Sequence, residues 1–319
     1  MRELSWGIAA TGGIARAVGA VIAAEPGMRV AAVGSRDLGR ASALAAKLGA
    51  PHAHGSYAAL CEDPTVEVVY VATPQAQHLA VAEAAIAAGK AVLCEKPLAA
   101  SVADAERMVR LAREAGVFLM EAMWMRFNPL IRRVAGEQRF GELRSVEASF
   151  GNVLPYDPAH RLWNPATGGG ALLDMGIYPF GLAQLLFGEP SRTHVTGALG
   201  PSGVDAEAGA LLEYAGGARA LLETSLVSPM ANAACVIGTE MRADLPAPFW
   251  APSRLVLSGP SMETEEHLLD PADNGYAGEL REVRTALAEG RTESAIMPLD
   301  ESLDMMRQLE RARQSLGAV

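Results

Sequence analysis

The sequence predicts an α/β protein, with an N-terminal doubly wound parallel sheet and a C-terminal α+β domain of mostly antiparallel sheet. Three observations carry this reading. Up to Met123, short apolar runs alternate regularly with helical patterns, which is the rhythm of βαβ units. Beyond it the strands alternate apolar and polar residues, and Gly216-Gly217 sits between two of them as a hairpin turn. The tail, residues 275–290 and 300–316, has helical spacing.

Residues 4–9 form a short apolar run, the first strand, and residues 14–24 continue with helical spacing. Residues 29–34, with β-branched Val30 and Val33, read as the second strand; residues 41–48 are an alanine-rich helix that Gly49 ends. Residues 66–72 are too continuously apolar for a half-exposed strand, so they fit a central parallel one. A helix over 79–88 stops at Gly89, a strand follows at 91–94, Ser101 caps a helix that reaches Gly116, and 117–120 is the next strand. In the second part, 143–150, 193–199 and 208–214 alternate, and 218–226 runs back from the glycine turn. A helix over about 170–187 lies between the first two of these, and the segments 167–170 and 246–252 are breaks. The expected domains are 1–123 and 124–319, with the C-terminal helix free to pack back on the first.

Length and charge bound the function. The 319 residues exceed what one core usually serves, so two domains fit. With 27 Lys plus Arg against 37 Asp plus Glu, the net charge of −10 argues against nucleic-acid binding, which needs clustered cations. No apolar run reaches the ~20 residues that span a bilayer, so no membrane partner is expected. Met1-Arg2-Glu3-Leu4 leads straight into a strand and leaves no room for a signal peptide. Cys61, Cys94 and Cys235 are widely spaced, which disfavours a disulfide framework and points to the cytoplasm. No histidine stands in a zinc-binding pattern with cysteine or acid, so no metal is expected.

The turn after the first strand, Gly7-Ile8-Ala9-Ala10-Thr11-Gly12-Gly13-Ile14-Ala15, sets Ala10-x-Gly12-x-x-Ala15 against the dinucleotide fingerprint G-x-G-x-x-G/A. Gly12 would let the backbone approach a pyrophosphate at the helix N-terminus, with Thr11, Gly13 and Ile14 beside it. Ala15 would let helix and strand pack closely; Ala10 replaces the first glycine. The second strand ends at Ser35-Arg36-Asp37, with Arg40 one helical turn on. An arginine here suits the 2′-phosphate of NADP, and an acid the ribose of NAD. NADP is therefore the expected cofactor, with NAD kept open by Asp37. Glu95-Lys96-Pro97 follows the strand at 91–94, at the carboxyl edge where such sheets bind ligands. Lys96 is one of three lysines, with Lys47 and Lys90, in a chain whose other strong bases are all arginine. Asp174 and Tyr178 lie four apart on the helix after Gly168-Gly169-Gly170, hence on one face. Pro179 removes a donor and predicts a kink there.

These motifs together resemble the glucose–fructose oxidoreductase/inositol dehydrogenase (Gfo/Idh/MocA) family, whose first domain is a Rossmann fold. Within it, Phe118-Leu119-Met120-Glu121-Ala122-Met123-Trp124-Met125-Arg126-Phe127 and Glu293-Ser294-Ala295-Ile296-Met297-Pro298-Leu299-Asp300-Glu301-Ser302 are similar to the dimeric dihydrodiol dehydrogenase and NADP-dependent D-xylose dehydrogenase branch. The resemblance covers nearly the whole chain. It implies a nicotinamide-dependent oxidoreductase acting on a sugar, polyol or dihydrodiol, with a second domain that forms the substrate pocket and a homodimer interface.

Carried over by the resemblance, Lys96 stands beside nicotinamide and reacting hydroxyl, Tyr178 is proton donor and acceptor, and Asp174 contacts or orients substrate. Thr73, Pro74 and His78 match the loop that touches ribose and nicotinamide, and Glu95 joins the cofactor edge. Arg161 belongs near the cofactor; His160, Trp124 and Phe127 belong to the substrate pocket, with His160 departing from the tryptophan of some relatives. A lysine beside Tyr178 would favour its phenolate, which requires a pocket at the junction of the two domains. Two alternatives stay open: a dinucleotide-sensing regulator without turnover, or an NAD-dependent glycosidase or cofactor-retaining oxidoreductase on the same fold. The dimer is expected through the second domain's sheet, one face covering helices and the other needing a partner if it is as apolar as Val146, Ala148 and Phe150.

Overall fold

The computed structural model describes residues 3–270 and 273–318. The chain divides into two units, one of residues up to Trp124 together with Tyr276–Leu303, the other of Met125–Gly275 and the chain from Asp304 onward. The segment Tyr276–Leu303, which the alternation of patterns assigns to the second domain, thus clusters with the first.

The first unit runs β1 (Leu4–Ala9), α1 (Gly13–Ala24), β2 (Met28–Gly34), α2 (Leu38–Leu48), β3 (His52–His54), α3 (Tyr57–Glu62), β4 (Val68–Val71), α4 (His78–Ala87), β5 (Ala91–Glu95), α5 (Val102–Ala115) and β6 (Leu119–Ala122). Its six strands are parallel in the order β3-β2-β1-β4-β5-β6. The expected doubly wound sheet is therefore present. The chain changes direction of winding between β1 and β4, and ligands of such sheets bind beyond the carboxyl ends at that point. β1, β4 and β5 are buried almost throughout because helices cover both faces.

Local signals fix the helices. Asp37 caps α2 by accepting from Arg40 N at 3.0 Å, and Gly49 closes it with φ 69°. Ser101 caps α5 by accepting from Asp104 N at 3.2 Å. β3 and α3 have no counterpart in the sequence pattern. β3 is three half-buried residues, His-Ala-His, and α3 is six residues long; neither is long enough to establish a period.

The second unit contains α6 (Pro129–Gly136), β7 (Leu143–Gly151), α7 (Ile177–Phe187), β8 (Arg192–Leu199), β9 (Asp205–Glu213), β10 (Arg219–Ser225), β11 (Ala234–Gly238), β12 (Arg242–Leu245), β13 (Arg254–Gly259) and β14 (Met262–Leu268). Two further helices follow in the chain, α8 (Gly275–Ala288) and α9 (Leu299–Leu316). The eight strands pair in the order β14-β13-β12-β11-β7-β10-β9-β8, antiparallel except where β10 lies parallel to β7. The hairpin expected at Gly216-Gly217 joins β9 to β10. Val146, Ala148 and Phe150 are buried, as are Ala208, Ala210, Ala220 and Leu222 on the neighbouring strands. This face is mostly alanine, so α7 and the turn before it can approach closely. A Cβ on Gly176 would already meet Thr224 Cγ2 at 3.3 Å.

Two expectations are corrected here. Val146, Ala148 and Phe150 lie on the covered face, so they say nothing of the open one, which carries Glu147, Ser149, Leu211, Leu221 and Glu223. The kink expected around Gly176 and Pro179 is present, as a π-turn over Leu172–Gly176. Pro179 follows at the third position of α7, which continues that turn without a break, and gives the helix no N–H donor there. By length and apolarity the helical run Pro165–Phe187 is enough to cross a membrane, contrary to the sequence count, but 78% of its most apolar window is buried inside the protein. It is a core helix.

Candidate active site

In the first unit the turn after β1 opens onto free space. Gly12 is the N-cap of α1 and makes no side-chain cap, so the first-turn N–H groups face outward unpaired by the cap. A Cβ on Gly12 or Gly13 would meet nothing within 4 Å; it would instead fill the space an approaching pyrophosphate needs. Ala15 is fully buried against the sheet. Ala10 takes φ 137°, a conformation that favours glycine, and its N–H donates to Gly34 O at 3.1 Å. Strain of this kind costs about 1–3 kcal/mol. Ala10→Gly should therefore raise stability by about 1 kcal/mol after glycine's own entropy cost. Urea unfolding checks this, and a loss of stability contradicts it.

At the tip of β2, Ser35 is buried and its Oγ accepts from Asp37 N at 3.2 Å. Asp37 is committed to α2: one oxygen caps Arg40 N at 3.0 Å and the other lies 3.5 Å from Arg40 Nε. Arg36 is exposed. At the tip of β4, Thr73 Oγ1 is buried with no hydrogen-bond partner, and Pro74 is exposed. An orphaned hydroxyl and an uncovered glycine turn at the switch point both fit a dinucleotide.

Lys96 stands half-buried on a loop braced from below. Glu95 is buried, accepts Tyr70 Oη–H at 2.5 Å and takes the Lys96 backbone N–H at 3.3 Å. Burial, with Glu95 adding to it, pushes the Tyr70 phenol well up, so it remains a donor. Leu98 N donates to Glu121 Oε1 at 2.9 Å, and Cys94 Sγ lies 3.6 Å from Leu98 O. The His78 ring is clamped between Thr73 O at 2.9 Å and Pro97 O at 3.1 Å. Burial lowers its pKa, while the backbone carbonyls on both sides favour its charged form. With 1% exposure and both nitrogens on backbone carbonyls, His78 positions the Thr73 and Lys96 loops against each other. This corrects its assignment as a cofactor contact. Glu279 of α8 is also fully buried in this unit, and burial, then Glu95, raises its pKa well up. Trp124 is buried and stacked on Tyr276, centroids 4.3 Å apart, and Phe127 is buried.

In the second unit Tyr178 is the second residue of α7, almost wholly buried, its ring tilted against Phe150 at 5.7 Å and Trp250 at 6.0 Å. Phe150 and Trp250 are themselves stacked at 3.5 Å. Asp174, in the π-turn, accepts from Arg161 Nη1 at 3.0 Å. His160 caps the short turn Arg161–Trp163 with Nδ1, which accepts from Leu162 N at 3.2 Å and leaves Nε2 as its donor. The structure thus joins Arg161 to Asp174 and places His160 beside Arg161 in the chain.

The glycine run has its own reason. A Cβ on Gly169 would come within 2.7 Å of Leu162 O, and Gly170 (φ 119°) abuts the Asp205 carboxylate. Asp205 accepts Leu172 N at 2.6 Å, and Arg313 Nε is 3.7 Å away. Asp205 holds the start of this helix and had no signal in the sequence beyond an acid opening a strand. Burial raises its carboxyl to about 6. The unfolded chain releases this proton near ~3.9, so the folded state binds more protons between the two values. Stability should then fall as pH rises from about 4 to about 6. Asp205→Asn removes that component, so the variant should gain roughly 2–3 kcal/mol relative to wild type across this window, whatever the pH-independent cost of the substitution. Urea midpoints at a series of pH values test it, and a flat difference contradicts it.

A model of the GFO/IDH/MocA oxidoreductase family, NAD-binding Rossmann fold, matches residues 4–123, and the GFO/IDH/MocA C-terminal domain matches residues 130–244. Trans-1,2-dihydrobenzene-1,2-diol dehydrogenase of Mus musculus is 40% identical over 326 residues, spanning 98% of this chain and 97% of the relative. The aldose-aldose oxidoreductase of Caulobacter crescentus, complexed with glycerol, superposes with a TM-score of 0.88 at 25% identity, covering 99% of this chain and 98% of that one. A 3-ketoreductase from Actinomadura kijaniata in complex with NADP and TDP-benzene gives 0.84 at 29%, covering 98% of each chain. With both halves matched and identity of this level over nearly all its length, the chain belongs to the GFO/IDH/MocA family of NAD(P)-dependent oxidoreductases.

Proposed function

We propose that this oxidoreductase acts on a secondary hydroxyl of a sugar, polyol or trans-dihydrodiol, with NADP preferred over NAD and with Lys96 and Tyr178 handling the hydroxyl proton. The bracing of Lys96 carries the reading. Five groups from four elements (Tyr70, His78, Cys94, Glu95 and Glu121) hold its loop in place, which is how a protein fixes a charge that must meet one substrate atom. The named substrates of the mouse dehydrogenase and the Caulobacter oxidoreductase, a trans-1,2-diol and aldoses, share a secondary hydroxyl beside a second one.

The nicotinamide, when bound, accepts or returns the hydride. The chain's part is positioning and proton transfer. Gly12, Gly13, Thr11 and Ile14 take the pyrophosphate, Ser35, Arg36 and Arg40 the 2′-phosphate end, and Thr73 and Pro74 the nicotinamide ribose. Lys96 Nζ holds the reacting oxygen, Tyr178 Oη exchanges its proton, and Asp174, held by Arg161, orients a neighbouring hydroxyl. Trials of pentoses, hexoses, anhydrosugars, polyols and trans-dihydrodiols with NADP+, followed at the reduced-cofactor absorbance, test this. Turnover of at least one vicinal diol or sugar is expected; none with any of them contradicts it.

A homodimer through the open sheet face belongs to the same proposal. Leu211 and Leu221 expose 38% and 45% of their surface on adjacent strands of that face, apolar area that a partner would cover. Sedimentation at micromolar concentration should give the dimer mass, and Leu221→Glu the monomer; a wild-type monomer removes the claim. Cys61, Cys94 and Cys235 are all free thiols, which supports a cytoplasmic location.

A further inference from the structure

The sequence spacing offers no metal pattern, yet the fold assembles one. His52 and His54 alternate on β3 and so share a face, and the C-cap of α3, Asp63, comes up beside them. Asp63 Oδ2 lies 2.7 Å from His52 Nδ1 and 2.9 Å from His54 Nε2. One ligand atom from each residue falls within 4.8 Å of the others. The second carboxylate oxygen is held separately, by Thr65 N at 2.8 Å and Thr65 Oγ1 at 2.6 Å, so the carboxylate is oriented before any ion arrives. Such outer support is the usual companion of a ligating carboxylate.

We propose that His52, His54 and Asp63 form a binding site for a divalent transition ion of the zinc type. Two imidazoles and one carboxylate suit Zn²⁺, Ni²⁺ or Cu²⁺ and not Mg²⁺ or Ca²⁺, which take oxygen ligands. Bonds of 2.0–2.2 Å in a tetrahedral site place donors about 3.3–3.5 Å apart. The three donors need to shift by only about an ångström to reach that spacing. Without an ion, each ring donates its N–H to Asp63; on binding, each ring carries its proton on the far nitrogen and no net charge is lost. Asp63 is 3% exposed, while the side chains of His54 and His52 are 24% and 43% exposed. β3 is an edge strand, so solvent reaches the histidines and can fill the remaining coordination positions. The ion would tie the edge strand to the turn before β4, one strand from Ser35, whose N–H donates to His54 O at 3.1 Å.

Titration of the metal-stripped full chain with ZnCl₂ by calorimetry should show one equivalent bound, weakened at least tenfold in His54→Gln and in His52→Gln. Cys235→Ser should leave it unchanged. One equivalent of Cu²⁺ should give an electron paramagnetic resonance signal split by two imidazole nitrogens, a readout on wild type that needs no variant to fold. No stoichiometric binding, affinity unchanged in both histidine variants, or a copper signal without two nitrogens would overturn the site.

Discussion

Tyr178→Phe should lower kcat on the best substrate by about 10²–10⁴-fold, the usual worth of a positioned general acid–base, with folding and NADP binding unchanged. The variant loses one hydroxyl and keeps the ring, so the packing against Phe150 and Trp250 remains. A drop in kcat and kcat/KM together marks a group acting in the transition state, whereas a rise in KM alone marks one that only binds. Near-normal kcat would send the proton elsewhere, and His160, with Nε2 as its donor, would be the next group to replace.

Arg36→Ala should raise the KM for NADP roughly 10–100-fold, as the loss of a charge-assisted contact of about 1.5–3 kcal/mol would require, while the KM for NAD should move little. The reason lies in the residue beside it. Asp37, which the sequence leaves available for a ribose 2′-hydroxyl, spends one oxygen capping α2 and holds the other near Arg40. The tip of β2 therefore offers a cation and a buried serine more readily than an acid. Equal losses for both cofactors would contradict a 2′-phosphate contact, because NAD has no such phosphate.

The parallel sheet was legible because each of its longer elements carries its own signal. Buried strands read as continuous apolar runs, Ser101 and Gly49 mark helix ends, and Glu95-Lys96-Pro97 stands where a strand must release the chain. The unread elements lack such signals. β3 is His-Ala-His, and β14, Met-Glu-Thr-Glu-Glu-His-Leu, is an edge strand with no buried residue to set a period. The supports of the site were hidden for a different reason. Glu121, Tyr70 and Asp205 are polar residues whose importance comes from burial and from partners distant in the chain. His78 shows the limit of a carried-over role: its place in the loop was right, but only packing shows that its ring faces backbone carbonyls on both sides.

We propose that Lys96 and Tyr178 serve one proton-transfer step. A double-mutant cycle on kcat, with Lys96→Met, Tyr178→Phe and both together, tests it most directly. Each single change should cost about 10²–10⁴-fold, and the pair should lose far less than the product of the two, because groups that act as a unit are not additive. Losses that multiply would mean the two residues act independently and would contradict the account.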